Sequence, residues 1–461
     1  MKHEDIKNIL KENSYLDSIV TICGWVKLVR ETKNMVFIEL NDGTSLSNIQ
    51  LVIDKESCLD FSKKNCSIGA SLSVTGKICK SQNNPDKVEM NVQSYRIIGK
   101  CPTDFPIQKK KQSLENLRDI PHLRSRTNTF NAEFRVRSEL IKTIHDFLQD
   151  NNFIYINAPV ITGSNCEGAG DLFRVTTLDI DKVSMEDYNS DIDKLDFFGK
   201  RVNLSVSGQL EAEAMACSLG KVYNFGPSFR ADNSNTKRHA SEFWLFEPEM
   251  AFADLKDSVK IINDLVNYTI NKIMEKCPNE LEFFNKFYDN TLIEKLNNSI
   301  SSNFDVIDYK DAIDILKNVK EKFEFPVCYE DGLKNEHIRF LTDIYFKKPF
   351  YIENYPRDMK PFYVKTSNGL ALSADLFFPG VGDIIGACQK EDDYDILYQK
   401  IKDLNMTMED YLWYLDLRKY GTVPHSGFGL GVERMLMYLT SMDNIRDTIN
   451  FPRTKCKKLK I

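Results

Sequence analysis

Five short β-rich segments near the beginning of the chain constrain its fold more than any other sequence feature. They lie between about Ser18 and Gly99 and read VTICGWV, MVFIEL, IQLVI, SLSVTGKI and KVEMNV, with an NDG turn after the second. Strands this short can close on themselves into a small barrel, which removes the exposed edges of a sheet. We therefore predict a five-stranded β-barrel at residues 1–100.

A proline-containing, charged segment follows the predicted barrel. CPTDFPIQKKKQSLENLRDIPHLRSRT has three prolines and little apolar periodicity, so we interpret residues 101–130 as a linker or hinge. Residues 101–137 hold eight Lys or Arg against four Asp or Glu, which suits either contact with phosphates or a solvated linker. A barrel of five strands fits the OB-fold pattern, although the pattern alone does not separate that fold from other small barrels.

Residues 131–461 alternate helical and β-rich segments, as in an α+β domain. Apolar residues recur at helical spacing from Phe134 to Leu148, and the segment FIYINAPVIT follows, whose proline places it at a sheet edge or interface. A helix is predicted at Leu255 to Lys276 with Asp254 as its cap. Further strands are predicted at NLSVS, VYNFGPSF, EFWLFEPEM and ALSADLFF. We expect an antiparallel sheet flanked by helices, with a helical insertion at about residues 278–350.

Charge and cysteine usage limit the class of protein. The net charge is -6, whereas a chain that binds RNA by electrostatics alone is usually basic, so any RNA contact must be local. Eleven cysteines are scattered singly without a CxxC pair, which argues against a zinc site or disulfides and favours a cytoplasmic protein. The charged start MKHEDIKNILKEN does not form a signal peptide, and we expect no membrane span.

The segment FGPSFRADNSNTKRHASEFWLFEPE places two predicted strands on either side of a polar loop. Arg230 leaves the first strand and Phe243 enters the second, so a guanidinium and an aromatic face could meet one nucleotide ligand. An isolated pair of this kind is more often part of a surface hairpin whose arginine pairs with an acid.

The segment GFGLGVERMLMYL brings three glycines to the start of an apolar helix. Gly427, Gly429 and Gly431 let a ligand approach the backbone, and Glu433 and Arg434 lie in the first helical turn. A helix N-terminus with an arginine favours phosphate. The segment is not a Walker loop, since no GK[ST] follows, and such glycines often form only a tight turn.

The segment SADLFFPGVGDIIGACQK carries Asp375 and Asp383 on either side of a Pro-Gly turn. Antiparallel strands would bring the two carboxylates close together, where they and triphosphate oxygens could bind Mg²⁺. Two solvent-facing turn aspartates are the alternative interpretation.

These three segments, in this order and spacing, resemble the motifs of class II aminoacyl-tRNA synthetases. SNCEGAGDLFRVTT, VSGQLEAEA, FRADNSNTKRHASEFWLFEPEMAF, YLDLRKYGTVPHSGFGLGVERM and NIRDTINFPRT resemble the asparaginyl-tRNA synthetase family over nearly the whole second domain. The barrel segment GWVKLVRETKNMVFIELNDG resembles that family's anticodon-binding domain. The resemblance implies an N-terminal OB-fold barrel and a class II catalytic domain at residues 131–461.

The implied activity is that of an asparagine-tRNA ligase. Such an enzyme activates L-asparagine with ATP to an asparaginyl adenylate and transfers the amino acid to the terminal adenosine of tRNA(Asn). The resemblance further implies Mg²⁺ as cofactor, a cytoplasmic location without membrane contact, and a homodimer formed through the region from Ala132 to Thr162.

The resemblance assigns an ATP site. Arg230 would bond the α-phosphate and Arg434 the γ-phosphate, as the two catalytic residues, while Phe243 stacks on adenine. Asp375 and Asp383 would hold the metal. The full ATP-binding set is Arg230, Asp232, His239, Phe243, Gly431 and Arg434.

It also assigns an asparagine site. Glu167 would close over the α-ammonium, and Glu213 would read the side-chain amide and repel the carboxylate of aspartate. Related aspartyl enzymes place a lysine where this chain has Ala212. From the sequence alone, an exposed helix residue is the favoured interpretation of Glu213, and the resemblance reverses that preference. The asparagine set is Glu167, Ser207, Gln209, Glu213 and Lys390.

In the barrel, the resemblance assigns anticodon contacts to Arg30, Phe37 and Gln50. Phe37 would stack on the middle anticodon base, an interaction that contributes roughly 1–3 kcal/mol per base. The alternative is that Phe37 is a core residue of an alternating strand.

The chain departs from the family pattern near the ligands. Asp232 and Asp383 replace glutamate, Lys390 replaces arginine, and Ala387 and Cys388 replace a Gly-Ser pair. Each of the first three changes keeps the charge but shortens a side chain or loses a bidentate fork. Two alternatives therefore remain: an aspartate-charging synthetase, or a non-charging paralogue that either forms free asparagine or regulates through RNA binding.

Overall fold

The computed structural model describes residues 2–56, 66–81, 84–108, 112–166, 171–182, 192–234, 236–300 and 303–455. By their contacts, the residues divide into two compact units, one ending at Phe134 and the other beginning at Arg135. Residues 101–134, which include the segment interpreted as a linker, belong to the first unit.

The first unit is a closed five-stranded barrel in the order β1-β2-β3-β5-β4, which confirms the predicted barrel. Its strands alternate buried apolar residues with outward-facing ones, as β2 does with Val36, Ile38 and Leu40 pointing into the core. The strands are β1 (Ile19–Glu31), β2 (Met35–Asn41), β3 (Ile49–Asp54), β4 (Ser71–Lys80) and β5 (Val88–Gly99). Helix α1 (Ile6–Lys11) adds Ile6 and Ile9 to the same core.

The second unit is built on an eight-stranded sheet in the order β12-β13-β16-β17-β18-β11-β10-β6. The six inner strands run antiparallel, while β12 and β6 pair in parallel at the two edges. The predicted α+β domain on an antiparallel sheet is thus confirmed, with parallel additions at its edges. Its strands are β6 (Ile154–Ile156), β10 (Lys221–Phe229), β11 (Glu242–Ala251), β12 (Asp305–Asp308), β13 (Phe350–Glu353), β16 (Ser373–Phe378), β17 (Gly382–Gln389) and β18 (His425–Gly431).

Smaller strands and a set of helices complete the fold. Two small sheets consist of β7 (Ile161–Thr162), β8 (Arg174–Val175) and β9 (Val202–Leu204), and of β14 (Thr366–Ser367) and β15 (Leu370–Ala371). The helices are α2 (Leu114–Arg118), α3 (Pro121–Arg124), α4 (Asn128–Asp150), α5 (Gln209–Leu219), α6 (Leu255–Lys276), α7 (Pro278–Phe287), α8 (Leu292–Asn298), α9 (Tyr309–Asn318), α10 (Asn335–Arg339), α11 (Tyr394–Asp403), α12 (Leu412–Lys419) and α13 (Val432–Thr440). Across the described ranges, no helix combines the length and apolarity needed to cross a membrane.

Two local predictions are confirmed in detail. Helix α6 has the predicted bounds, and the Asp254 side chain caps it by accepting from the backbone N–H of Asp257. The segment with Pro159 forms β6 at the edge of the sheet, where an incomplete hydrogen-bond ladder is tolerated.

The segment predicted as a helical insertion is helical only in part. Helices α7 to α10 lie within it, but β12 and β13 join the main sheet at one end. The helix α9 buries Tyr309 and Ile313 against Phe350 of β13 in a cluster of its own. The segment therefore extends the sheet as well as packing beside it.

Candidate active site

A cavity of about 420 Å³ lies among β10, β11, β16, β17, β18 and the start of α13. A volume of this size is typical of a small-molecule site. The structure brings eleven of the predicted site residues together in its lining: Ser207, Gln209, Arg230, Asp232, His239, Phe243, Asp375, Asp383, Lys390, Gly431 and Arg434. Glu167 falls outside the described residues.

The β10-β11 hairpin positions Arg230 and Phe243. Ser228 pairs with Phe243 across the hairpin, and the Arg230 backbone N–H donates to the Ser241 carbonyl at 3.0 Å. The Arg230 guanidinium carbon lies 5.4 Å from the centre of the Phe243 ring. The paired strands thus place a cation and an aromatic face side by side in the cavity, an arrangement that suits a nucleotide.

His239 belongs to the loop that joins these strands and shares a hydrogen bond of 2.5 Å with the Thr236 hydroxyl. Burial, and then the nearby positive charge of Arg434, lower the pKa of His239 below its ordinary value. A neutral imidazole in this position can donate a hydrogen bond to an anion without adding charge of its own.

Helix α13 begins directly after β18, and two adjacent charged residues of its first turn, Glu433 and Arg434, both belong to the lining of the cavity. Glu433 is buried, accepts from the Trp244 backbone N–H at 3.0 Å and pairs with Arg137 at 2.7 Å. Arg434 is partly exposed, and its guanidinium donates to the Asp383 carboxylate at 2.5 Å and to the Asp383 carbonyl at 2.8 Å. The anchored glutamate fixes the first helical turn and, with it, the position from which Arg434 reaches the cavity.

A third guanidinium in the cavity was missed by the sequence reasoning. Arg238 lines the cavity close to Arg434, and burial followed by the charge of Arg434 lowers its pKa. A Cβ atom on Gly382, which has a φ of +96°, would lie 2.8 Å from the Arg238 guanidinium. The glycine therefore leaves the room that Arg238 occupies. Two neighbouring cations in one cavity favour a polyanionic ligand.

Asp375 and Asp383 lie on the neighbouring antiparallel strands β16 and β17, and both line the cavity. Each is paired with a cation: Lys360 donates to Asp375 at 2.6 Å, and Arg434 pairs with Asp383. Two carboxylates fit the oxygen preference of Mg²⁺. No cluster of three or more His, Cys, Asp or Glu side chains with metal-binding geometry occurs in the described part of the chain, so phosphate or water oxygens would have to complete the shell.

At the end of the cavity assigned to the amino acid, Gln209 and Lys390 converge on one buried carboxylate. Both donate to Oε1 of Glu249 at 2.6 Å, and the Gln209 amide also donates to Glu213 at 3.1 Å. Lys390 and Glu249 are fully buried from solvent, yet Lys390 lines the cavity. Neither Glu249 nor its pairing with the predicted residues Gln209 and Lys390 carried a signal in the sequence, because α5, β11 and the end of β17 are far apart along the chain.

Glu213 lies behind these groups and does not line the cavity. Its Oε2 accepts from Tyr414 at 2.7 Å, from Arg418 at 2.8 Å and from His425 at 3.0 Å. Burial would raise the pKa of Glu213, but Arg418 and His425 outweigh that effect and hold the pKa well below its usual range. The suggestion that Glu213 is an exposed helix residue is therefore wrong. Its direct contact with a substrate amide stays a prediction.

Ser207 marks the entry to α5 and donates to Glu247. Glu247 also accepts from the Gly208 backbone N–H at 3.0 Å and from Asn224 at 2.9 Å. This network fixes the start of the helix that carries Gln209.

In the barrel unit, Arg30 on β1 pairs directly with Phe37 on β2. Phe37 is half-buried and alternates with the core residues of its strand, so it is not one of them. Arg30 pairs with Glu39 at 3.2 Å, and Gln50 on β3 donates to Glu89 at 3.0 Å. An aromatic ring flanked by polar groups on a barrel surface is typical of single-stranded nucleic-acid binding.

Two family matches cover nearly the whole chain. Residues 114–455 match the tRNA synthetases of class II (D, K and N). Residues 20–98 match the OB-fold nucleic-acid-binding domain.

Individual proteins are similar over the same length. An asparagine–tRNA ligase from Acetivibrio thermocellus is 47% identical over 98% of this chain and 99% of its own. One from Desulfitobacterium hafniense is also 47% identical, with the same coverage. Asparaginyl-tRNA synthetase from Pyrococcus horikoshii, solved with asparaginyl-adenylate, superimposes with a TM-score of 0.85 at 32% identity, covering 98% of both chains.

Proposed function

The chain belongs to the class II tRNA synthetases of the D, K and N group, and from that premise we propose that it is an asparagine–tRNA ligase. The observation that carries the proposal is 46–47% identity to asparagine–tRNA ligases over nearly the full length of both chains. The cavity that unites Arg230, Phe243 and Arg434 supports it, because these groups suit a bound nucleotide.

In the first step, a carboxylate oxygen of asparagine attacks the α-phosphorus of ATP. The bond from that phosphorus to the bridging oxygen breaks, and its electron pair leaves with pyrophosphate. Arg230 would contact the α-phosphate, Arg434 the γ-phosphate and Phe243 the adenine, with Asp232, His239 and Gly431 beside them. These residues hold the reacting atoms in line and offset the negative charge that develops.

Asp375 and Asp383 would hold Mg²⁺ in the loaded enzyme. The ion would supply positive charge to the phosphate oxygens. The ion pairs of these two aspartates with Lys360 and Arg434 hold both carboxylates in place in the lining of the cavity.

In the second step, a ribose hydroxyl of the terminal adenosine of tRNA(Asn) attacks the carbonyl of the adenylate and releases AMP. The barrel would contribute tRNA recognition through Arg30, Phe37 and Gln50, with Phe37 stacking on an anticodon base. Their placement on adjoining strands of one unit supports this assignment.

Selection of asparagine is assigned to Glu167, Ser207, Gln209, Glu213 and Lys390. Gln209 and Lys390 present an amide and an ammonium to the cavity. The position at which the aspartyl enzymes carry a lysine is Ala212, which is buried against apolar neighbours. The site therefore lacks one cation that would attract the carboxylate of aspartate.

A homodimer is supported by the apolar character of one sheet edge. Strand β6 ends the sheet and exposes Ile154 and Tyr155, and Val160 and Ile161, a few residues further along the chain, are exposed too. An apolar, unpaired edge is covered in most stable proteins, and a second copy of the chain would cover it symmetrically. Light scattering of the purified protein at micromolar concentration should report twice the mass of one chain, and a monomer would reject this assignment.

A cytoplasmic location is part of the proposal. The cysteines in the described ranges are free thiols, as in reducing compartments.

The test is ATP–pyrophosphate exchange by the purified protein with asparagine, aspartate or no amino acid, with and without Mg²⁺. Exchange that needs asparagine and Mg²⁺ supports the proposal. Exchange with aspartate would make the protein an aspartate-charging synthetase, and no exchange at all would favour a non-charging paralogue.

A further inference from the structure

Glu249 occupies a position between the two side chains that face the amino-acid end of the cavity. Its Oε1 accepts from Gln209 and from Lys390, both at 2.6 Å. Its Oε2 is buried and has no hydrogen-bond partner among the described residues. One carboxylate oxygen therefore orients both groups, while the other contributes charge alone.

Gly427 on β18 provides the space for this carboxylate. A Cβ atom at Gly427 would lie 2.1 Å from Oε1 of Glu249 and 2.2 Å from the Pro248 carbonyl oxygen. Both distances are far below contact, and the second involves backbone that has little freedom to move. Only glycine at this position lets Glu249 reach Lys390, so the ion pair is built into the register of β11 and β18.

Hydrogen bonds to Glu249 and Glu213 fix the orientation of the Gln209 amide. Its NH2 group donates to Glu249 and to Glu213, so both hydrogens are used. The reverse orientation would place the amide oxygen against two carboxylates. The carbonyl oxygen of Gln209 is consequently the atom left for the cavity, where it can accept from an NH2 group and repels a carboxylate.

The charges below the cavity also cancel in pairs. Glu213 is neutralised by Arg418 at 2.8 Å, and Glu249 neutralises Lys390. Without Glu249, the Lys390 ammonium would lose its salt bridge, and the remaining carboxylate that acts on it, Glu213, is already paired with Arg418. A carboxylate is the ligand group that would best compensate the Lys390 charge.

We propose that Glu249 determines the preference for asparagine over aspartate by neutralising Lys390 and orienting Gln209. Glu249 is a positioning residue: it acts through these two side chains rather than through the substrate. The inference rests on the proposed function, since it concerns the selectivity of the same site.

The test is the substitution Glu249→Gln, which keeps the shape of the side chain and removes its charge. The ratio of kcat/KM for aspartate to that for asparagine, measured by ATP–pyrophosphate exchange, should rise by about tenfold or more. The KM for ATP should stay within about twofold, because Glu249 makes no contact with the phosphate end. Should Glu249→Gln not fold, Glu249→Ser tests the same loss of charge with a smaller side chain.

The double variant Glu249→Gln with Lys390→Met distinguishes two causes of an altered aspartate-to-asparagine ratio, the unpaired Lys390 charge and general structural damage. It removes the uncompensated ammonium, so the gain with aspartate should disappear even though asparagine activation also weakens. The matched control is Glu391→Gln. Glu391 forms a buried ion pair with Lys400 at 2.9 Å one residue from Lys390, and neither lines the cavity. This variant should lose stability without any change in the aspartate-to-asparagine ratio.

The outcomes separate the inference from the proposed function. A folded Glu249→Gln variant with an unchanged ratio, or a double variant that keeps the gain, would overturn the role of Glu249 while the unsubstituted chain still activates asparagine. An unsubstituted chain that does not activate asparagine would overturn the proposed function, and this inference with it.

Discussion

Replacing Arg434 with alanine should abolish amino-acid activation while leaving the fold almost unchanged. Arg434 projects from the first turn of α13 into the cavity and binds Asp383 through its guanidinium. The ion pair is only partly shielded, since the two side chains are 26% and 52% exposed. Exposed pairs of this kind contribute at most about 1 kcal/mol to stability, so the unfolding midpoint should shift by only a few degrees.

The effect on the reaction should be far larger. A guanidinium that binds a phosphate in the transition state forms charge-assisted hydrogen bonds that water cannot replace. Removing one preorganised donor of this kind typically lowers the rate by about 10²- to 10³-fold. We therefore expect kcat/KM for ATP in asparagine-dependent exchange to fall by at least about 100-fold.

The assay combines ATP–pyrophosphate exchange with thermal unfolding of the same preparation. Arg174→Ala is the matched control, since Arg174 forms a similarly exposed ion pair with Asp193 at 2.7 Å and does not line the cavity. Both variants should unfold near the temperature of the unsubstituted chain, and only Arg434→Ala should lose exchange. An Arg434→Ala protein that is folded and exchanges at an undiminished rate would show that the phosphate assignment is wrong.

Three further predictions concern the same unit. Phe243→Leu should raise the Kd of ATP by about tenfold, because it removes a stacking face beside Arg230; calorimetric titration with ATP measures this, and an unchanged Kd would refute it. Gly427→Ala should lower the free energy of unfolding by about 1–3 kcal/mol in urea titrations, because the alanine Cβ would overlap the Glu249 carboxylate. A variant as stable as the unsubstituted chain would show that β11 and β18 are less closely packed than this. Burial lowers the pKa of His145, so the unfolded state binds more protons than the folded state, and stability should fall as the pH drops through about 6.5. His145→Asn should reduce this dependence of stability on pH, as measured by urea unfolding midpoints above and below about pH 6.5. An unchanged pH dependence would contradict the assignment to His145.

Local sequence patterns predicted much of the fold. The alternation of β2 and the spacing of α6 with its Asp254 cap depend on neighbours within a few residues, and the structure has both elements where they were predicted. The segment at about 278–350 was predicted less well. Its strands β12 and β13 are four residues each, and only their pairing with the main sheet distinguishes them from loop.

The candidate site likewise has a part that local sequence patterns predict and a part that they do not. Arg230, Phe243, Asp375 and Arg434 lie in short segments with recognisable turns and strands, and the structure brings them into one cavity. The residues that support the site were not foreseen. Glu249 meets Lys390 across 141 residues of sequence, and pairing over such distances depends on tertiary packing that no local pattern records.

The decisive experiment is aminoacylation of tRNA(Asn) transcript with labelled asparagine, compared with labelled aspartate. We expect asparagine to become attached to the transcript in an ATP-dependent reaction, and aspartate to be attached far more slowly. A purified protein that activates asparagine but does not load the transcript, or that loads aspartate equally well, would contradict this expectation.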